Sequence, residues 1–127
     1  MPVLGIGLDV VDVERFARVL DRRPHLSDRL FTSREIAVAH GSPSRTAQRL
    51  AARFAAKEAA MKSLGVGLGA FGFADVEVVD LPTGAPRIEM LRRAEEVAAS
   101  RGVTSWLVTL THTVTTAAAC VVALGQG

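Results

Sequence analysis

The sequence predicts an α+β fold, in which an antiparallel sheet is packed by a long central helix and shorter helices. Three observations support this class. Segments with strand alternation occur at both ends of the chain, three capped segments with helical spacing follow the first strand, and short turns join neighbouring strands. Short joins suit antiparallel pairing, because parallel strands need long crossovers. The predicted order is β-α-α-α-β-β-α-β-β in a single domain, 1–127.

Composition restricts the class of protein. Hydrophobic residues make up 49% of the 127 and charged residues 22%, which is typical of a globular chain and not of a disordered one. The single cysteine, Cys120, excludes an internal disulfide. Cys120 and the three histidines are not spaced as the ligands of a zinc site are. No apolar run approaches the roughly 20 residues of a membrane span, and the start lacks a basic leader. We expect a cytoplasmic protein without a membrane partner.

The first strand, residues 3–11, has two unlike faces. Because side chains alternate along a strand, one face is apolar, and the other carries Gly5, Gly7 and Asp9. The two glycines leave room for a ligand or for another backbone. The alternative is a strand thinned by glycine, in which Asp9 only turns the chain into the next helix.

Two helices follow this strand. Asp12 stands at the N-cap of the first, and Thr32–Glu35 has the capping-box pattern that opens the second, which ends near Gly41.

A basic stripe lies along the first helix, since Arg15, Arg18 and Arg22 are spaced i, i+3 and i+7. The stripe is either a solvated helix face or a surface that steers an acidic partner. We do not expect nucleic acid, because no aromatic residues interleave with the arginines and tyrosine is absent.

The third helix, predicted from about Ser44 to Leu64 and closed by Gly65, carries charges on an alanine-rich background. At 100° per residue, Glu58 and Lys62 lie about 40° apart on one face, whereas Arg53 points about 140° away. The plain interpretation of Glu58 and Lys62 is a surface ion pair of about 0.3–0.5 kcal/mol.

The alternative interpretation joins this helix to the first strand. Asp9 and Glu58 together can hold a magnesium ion, which usually takes one or two protein carboxylates and completes its shell with water and phosphate. Lys62 is placed to contact the same phosphate, and Arg53 or Arg45 can add bidentate contacts to other phosphates.

The second half of the chain adds two motifs of lower specificity. Gly67–Gly72 matches G-x-G-x-x-G, but it follows a helix and precedes a strand, so a dinucleotide-binding turn is rejected. His112 shares a strand face with apolar residues. It is either a satisfied core histidine or, at an exposed strand end, a donor to phosphate.

These motifs together resemble a known family. "GIGLDVVDVERF" and "RFAAKEAAMKSLG", followed by "VTLTHT" and "AAACVVAL", are similar in order and spacing to the signature segments of bacterial holo-acyl-carrier-protein synthases. "FTSRE" fits as well, so the resemblance extends over nearly the whole chain. Members of that family are small 4′-phosphopantetheinyl transferases.

The resemblance implies a specific activity. Such enzymes move the phosphopantetheine arm of coenzyme A to a serine of apo acyl carrier protein, releasing adenosine 3′,5′-bisphosphate. The family is typically a homotrimer, with coenzyme A in a cleft between subunits. Glu58 is then the candidate base, with Glu35 as a weaker one.

The resemblance also assigns site residues. Asp9 and Glu58 match the magnesium ligands and Lys62 the phosphate-contacting lysine, and these three form the expected catalytic set. The positions expected to bind the carrier protein are Arg15, Arg18 and Arg22. Those expected to bind coenzyme A are Arg45, Arg53, Lys62, Gly65, Gly84, Pro86 and His112.

One departure from the family concerns the turn Thr83–Pro86. It reads Thr-Gly-Ala-Pro where Gly-Lys-Pro is common, so a lysine contact near the adenosine end is missing. Two other classes of function stay open from the residues alone: a trimeric module that binds an acidic protein without catalysis, and a nucleic-acid-binding domain.

Overall fold

Residues 1–126, the part of the chain that the computed structural model describes, form five α-helices and five β-strands. Gly127, the last residue of the predicted domain, lies outside this range. The α+β class is confirmed. In chain order the elements are β1 (Val3–Asp12), α1 (Val13–Arg22), α2 (Leu26–Leu30), α3 (Ser33–His40), α4 (Thr46–Leu64), β2 (Val76–Asp80), β3 (Pro86–Met90), α5 (Arg92–Ser100), β4 (Val103–His112) and β5 (Thr116–Gly125).

The strands divide between two antiparallel sheets, whereas the sequence predicted one. The larger sheet has the order β1-β5-β4, and β2 and β3 form a separate hairpin. The central strand β5 has only two hydrogen-bonding edges, and β1 and β4 occupy both of them. In the described residues the hairpin is hydrogen-bonded to the outer edge of neither β1 nor β4, and β3 instead packs beside β4.

Helix α4 packs on the inner face of the larger sheet through small residues. Every second residue of β5, from Ala117 to Ala123, is buried on this face, and the facing side of α4 is rich in buried alanines. A methyl group built on Gly7 would lie 1.8 Å from the Ala59 carbonyl oxygen, and one on Gly5 would lie 1.8 Å from the Ser63 carbonyl oxygen. The space beside the glycines is therefore filled by another backbone, the second of the two uses that the sequence left open.

The predicted caps of the helices are present. Asp12 Oδ1 accepts a hydrogen bond of 2.8 Å from the Arg15 backbone N–H, and Thr32 and Glu35 form the complete capping box. Gly65 ends α4 in the left-handed conformation, with φ at 69°. The α-helix begins at Thr46, two residues later than predicted, because Pro43–Arg45 form a 3₁₀ turn.

Helix α2 is absent from the predicted order of elements. It spans only five residues and has no side-chain cap. A segment this short shows too little periodicity to be recognised in the sequence.

A buried ion pair fixes α4 against α3 and β2. The Lys57 ammonium donates to Glu35 Oε1 at 2.7 Å and to the carbonyl oxygens of Phe73 and Val76, while Glu35 Oε2 accepts from the Val78 backbone N–H at 2.9 Å. Burial lowers the pKa of Lys57 below its ordinary value, and the Glu35 carboxylate offsets part of that effect. The minor prediction that Glu35 acts as a base is wrong, because its carboxylate is fully buried and already bonded.

The outer face of the larger sheet is apolar and uncovered. Ile6, Leu8, Val10 and Leu107 are each between 60% and 66% exposed. Cys120 is half-buried on the same face, opposite Leu8. Within residues 1–126, no helix is both long and apolar enough to cross a bilayer.

We expect Gly7→Ala to destabilise the fold by about 1–3 kcal/mol, because the added methyl group must displace the α4 backbone and not merely a flexible side chain. Gly67→Ala is the matched control, since a methyl group there has no neighbour within 4 Å. Its free energy of unfolding is expected to change by less than about 0.5 kcal/mol. Guanidinium denaturation of both variants measures the difference, and equal stability would contradict a close contact at Gly7.

Candidate active site

Two carboxylates and one amine meet where β1 passes under α4. Asp9 lies on the glycine face of β1, two residues beyond Gly7, and Glu58 and Lys62 extend from adjacent turns of α4. The Lys62 ammonium donates to Asp9 Oδ1 at 3.2 Å and to the Leu8 carbonyl oxygen at 2.9 Å. The structure therefore brings together the three residues that the sequence paired across 49 positions, from Asp9 to Glu58.

The electrostatics of this group favour a bound cation. Burial raises the pKa of Glu58, the nearby Asp9 carboxylate raises it further, and Lys62 acts in the opposite direction. A hard divalent cation between the two carboxylates would relieve their repulsion. Within residues 1–126, no group of three or more histidine, cysteine or acidic side chains is placed to hold a metal. The two carboxylates of Asp9 and Glu58 are a donor set that suits magnesium, because this ion usually takes one or two protein carboxylates and completes its shell with oxygen from water or substrate.

These residues open into a cleft of about 640 Å³ between β1, α1, α2 and α4. Most of its lining is apolar, and three phenylalanines form its floor. The Phe54 ring stacks on Phe73, with ring centroids 5.4 Å apart, and Phe16 lies 5.0 Å from Phe54 on the other side. The apolar floor allows the cleft to hold more than a metal ion and a phosphate.

The basic stripe on α1 runs along the edge of this cleft. Arg15 lines the cleft itself, and Arg18 and Arg22 are exposed farther along the helix. Arg18 Nη1 lies 2.8 Å from Glu14 Oε1 in an exposed i, i+4 pair. Such pairs contribute little, so Arg18 can exchange Glu14 for an external acidic group at low cost.

A second cavity, of about 300 Å³, lies on the far side of α4. The residues that line it include Arg49, Arg53, Asp80 and His112, together with the turn between β2 and β3. Arg53 is 94% buried, and its Nη2 donates to Asp80 Oδ2 at 3.1 Å. His112 is exposed at the end of β4, so it is not a core histidine, and its role as a donor to phosphate stays a prediction. This cavity thus has the polar donors that an anionic ligand needs.

The comparisons with known proteins identify the family of this chain. The model of the 4′-phosphopantetheinyl transferase superfamily matches residues 5–120. The chain belongs to this superfamily.

Two relatives and one solved structure are similar to this chain over nearly its whole length. A holo-[acyl-carrier-protein] synthase of Streptomyces avermitilis is 43% identical over 125 residues, covering 98% of this chain and all of the relative. One of Beutenbergia cavernae is 45% identical over 121 residues, covering 95% and 97%. The fold agrees with a solved holo-(acyl-carrier-protein) synthase from Bacillus anthracis in complex with CoA (3′,5′-ADP), with a TM-score of 0.80, 30% identity and 98% coverage of both chains.

The seven residues that the resemblance assigned to coenzyme A do not all lie at one site in this structure. Four of the seven line the second cavity: Arg53, Gly84, Pro86 and His112. Lys62 lines the cleft instead. Arg45, exposed at the start of α4, and Gly65, at its end, line neither the cleft nor the cavity.

Two charged residues of the second cavity were not predicted. Arg49 lies four residues before Arg53 on the same face of α4, so the helical spacing that related Glu58 to Lys62 would also have identified it. Asp80, which accepts a hydrogen bond from Arg53, lies 27 residues later in the sequence, at the end of β2. No local pattern indicates that contact, because it depends on how the β2–β3 hairpin packs.

The cleft and the cavity have no lining residue in common. This separation follows from the helix itself, because Arg53 and Glu58 point about 140° apart around α4. A ligand that needs both sets of residues cannot reach them on one copy of this superfamily member without passing around the helix.

Proposed function

We propose that this chain transfers the 4′-phosphopantetheine arm of coenzyme A to a serine hydroxyl of an apo acyl carrier protein, with magnesium, and releases adenosine 3′,5′-bisphosphate. The observation that carries the proposal is the convergence of Asp9, Glu58 and Lys62 at the mouth of an open cleft. The comparisons support the same reaction, because the relatives that match nearly the full chain carry the name holo-[acyl-carrier-protein] synthase.

The reaction forms a bond between the serine oxygen and the phosphorus that bears the pantetheine, and breaks the bond from that phosphorus to the bridging oxygen of the pyrophosphate. Negative charge builds up on the transferred phosphoryl group and on the leaving phosphate. Asp9 and Glu58 would hold magnesium, which supplies positive charge at the pyrophosphate. The Lys62 ammonium adds a mobile positive charge at the same place.

The serine proton also needs an acceptor. Glu58 lines the open cleft and has a second carboxylate oxygen besides the one that a metal ion would take. We therefore assign the proton transfer to Glu58, and not to Glu35, whose oxygens are already used in the core.

The carrier protein would dock along α1. Arg15, Arg18 and Arg22 offer positive charge to an acidic helix, and the phenylalanine floor of the cleft offers apolar surface next to the reacting groups. Opposite charges on two partners accelerate and orient their encounter, while the apolar contact slows dissociation.

The active unit would be a homotrimer in which neighbouring copies share each site. On this proposal coenzyme A presents its pyrophosphate to the cleft and its adenosine end to the second cavity, and within one copy these two sites face directions about 140° apart around α4. The exposed apolar face around Ile6, Leu8 and Val10 provides the surface that adjacent copies would bury.

We expect the purified chain, incubated with coenzyme A, magnesium and an apo acyl carrier protein, to produce the phosphopantetheinylated carrier in a mass spectrum. Asp9→Asn is expected to slow this transfer by about 100-fold or more, because it removes one of two charges that hold the metal. Asp12→Asn is the matched control. It removes a carboxylate from the same cleft, and asparagine still caps α1.

Absence of the carrier adduct from a well-folded wild-type sample would argue for a non-catalytic interaction module. Equal losses in the Asp9 and Asp12 variants would refute the specific role of Asp9 while leaving the activity itself intact. Binding of nucleic acid that weakens steeply with salt would support the remaining alternative.

We expect the double substitution Arg15→Ala with Arg18→Ala to raise the Michaelis constant for the carrier protein about tenfold, as for two ion pairs of somewhat under 1 kcal/mol each. The Michaelis constant for coenzyme A should stay nearly unchanged. Arg101→Ala, an exposed arginine at the end of α5, serves as the control for loss of surface charge. Similar increases for both substrates would remove the docking role of α1.

Sharing of sites between copies can be tested by mixing two impaired variants, Asp9→Asn and the double variant Arg53→Gln with His112→Ala. Refolded together in equal amounts, they should regain about one quarter of the wild-type rate, because some interfaces combine an intact cleft with an intact cavity. Sedimentation should give three times the chain mass of 13.4 kDa. Failure of the mixture to exceed its two components would show that each copy works alone.

A further inference from the structure

The second cavity contains a guanidinium group that the sequence did not assign. Arg49 and Arg53 both line it from one face of α4, one turn apart. Arg49 Nη1 donates to the Val38 carbonyl oxygen at 3.2 Å, which anchors one side of the guanidinium group. No carboxylate in residues 1–126 forms an ion pair with Arg49, whereas Arg53 is paired with Asp80.

The same cavity holds a buried donor without a partner. Arg53 Nε is inaccessible to solvent and has no hydrogen-bond acceptor among the described residues, although the Arg53 side chain is 94% buried. Leaving a buried donor unpaired is costly, particularly on a charged group. The two guanidiniums face a single carboxylate, Asp80, so the cavity has an excess of one positive charge. Because the Arg53 Nε atom is out of reach of a ligand, it is the excess of positive charge that suits the cavity to an anion.

The location of the cavity limits which anion it binds. On the proposed function, on which this inference rests, the pyrophosphate of coenzyme A lies at Asp9, Glu58 and Lys62. The remaining anionic group of coenzyme A is the phosphate on the 3′ oxygen of its ribose, a monoester with a charge of about −1.5 to −2 at neutral pH. The turn between β2 and β3, which forms one wall of the cavity, has no charged residue from Leu81 to Pro86.

We infer that Arg49 binds the 3′-phosphate of coenzyme A and thereby distinguishes this substrate from nucleotides that lack the phosphate. A guanidinium group offers several N–H donors in one plane, so Arg49 can keep its bond to Val38 and direct other donors to two phosphate oxygens. Arg53, held by Asp80, lies one turn further along α4 and contributes the second guanidinium of the cavity, while His112 offers a ring N–H from β4.

Binding of adenosine 3′,5′-bisphosphate and of AMP, measured by calorimetry in the presence of magnesium, tests this role without requiring turnover. Wild-type protein is expected to bind the bisphosphate at least about tenfold more tightly than AMP. Arg49→Gln should reduce that preference to about twofold or less through weaker binding of the bisphosphate alone. Arg49→Lys, which keeps the charge but loses the fork of donors, should give an intermediate preference.

Turnover gives an independent measurement. Arg49→Gln should raise the Michaelis constant for coenzyme A about tenfold or more and leave kcat nearly unchanged, since the group is remote from the reacting phosphorus. With 3′-dephospho-coenzyme A as substrate, the variant and the wild type should differ by less than about twofold. Arg101→Gln should be indistinguishable from wild type with both substrates.

The possible failures can be told apart. Suppose that the wild type transfers phosphopantetheine, but that Arg49→Gln weakens the bisphosphate and AMP equally, and coenzyme A and 3′-dephospho-coenzyme A equally. The assignment of Arg49 is then overturned and the proposed function stands. If the wild type produces no carrier adduct, the proposed function fails. A bisphosphate preference that depends on Arg49 would then still support a 3′-phosphate site, and the absence of any such preference would overturn it.

Discussion

The contact of α4 with the glycine face of β1 is the constraint on which the rest of this structure depends. The Ala59 and Ser63 carbonyl oxygens occupy the positions that side chains at residues 7 and 5 would fill. Because helix and strand approach so closely, Asp9 and Glu58 meet even though one belongs to the sheet and the other to the helix. The same contact lets the buried alanines of α4 pack on those of β5, so one small-residue interface serves both the core and the cleft.

The charges of α4 are distributed around the helix by function. Lys57 points into the core and is held by Glu35, which fixes the rotation of the helix about its own axis. The adjacent residue, Glu58, is thereby directed into the cleft, while Arg49 and Arg53 face the second cavity. Breaking a buried ion pair costs about 3–5 kcal/mol, because a charge is left unpaired. This cost makes rotation of α4 unfavourable. Glu58 therefore stays directed into the cleft, and Arg49 and Arg53 stay directed into the second cavity.

Local patterns in the sequence were sufficient for most elements and for part of the site. The Asp12 cap, the Thr32–Glu35 capping box and the Gly65 stop depend on neighbours within a few residues, and all three are present. The roles of Lys57 and Asp80 could not be predicted, because their partners are 22 and 27 residues away and are set by packing. The separate hairpin was missed for the same reason, since the division of strands between sheets is set by packing and not by local patterns.

The organisation of the site also explains why a chain of 127 residues is sufficient for a ligand as long as coenzyme A. A single long helix can present side chains in opposite directions, but it cannot bring them to one side. On the proposed function, two groups about 140° apart on α4 would act on one molecule because a second copy presents its own α4 from the other direction. On the proposed function, assembly through the apolar outer face of the sheet would therefore be required for completing each site and not only for stability. Substitutions at Ile6, Leu8 or Val10 would then weaken catalysis without touching a ligand, because they would separate the cleft of one copy from the cavity of the next.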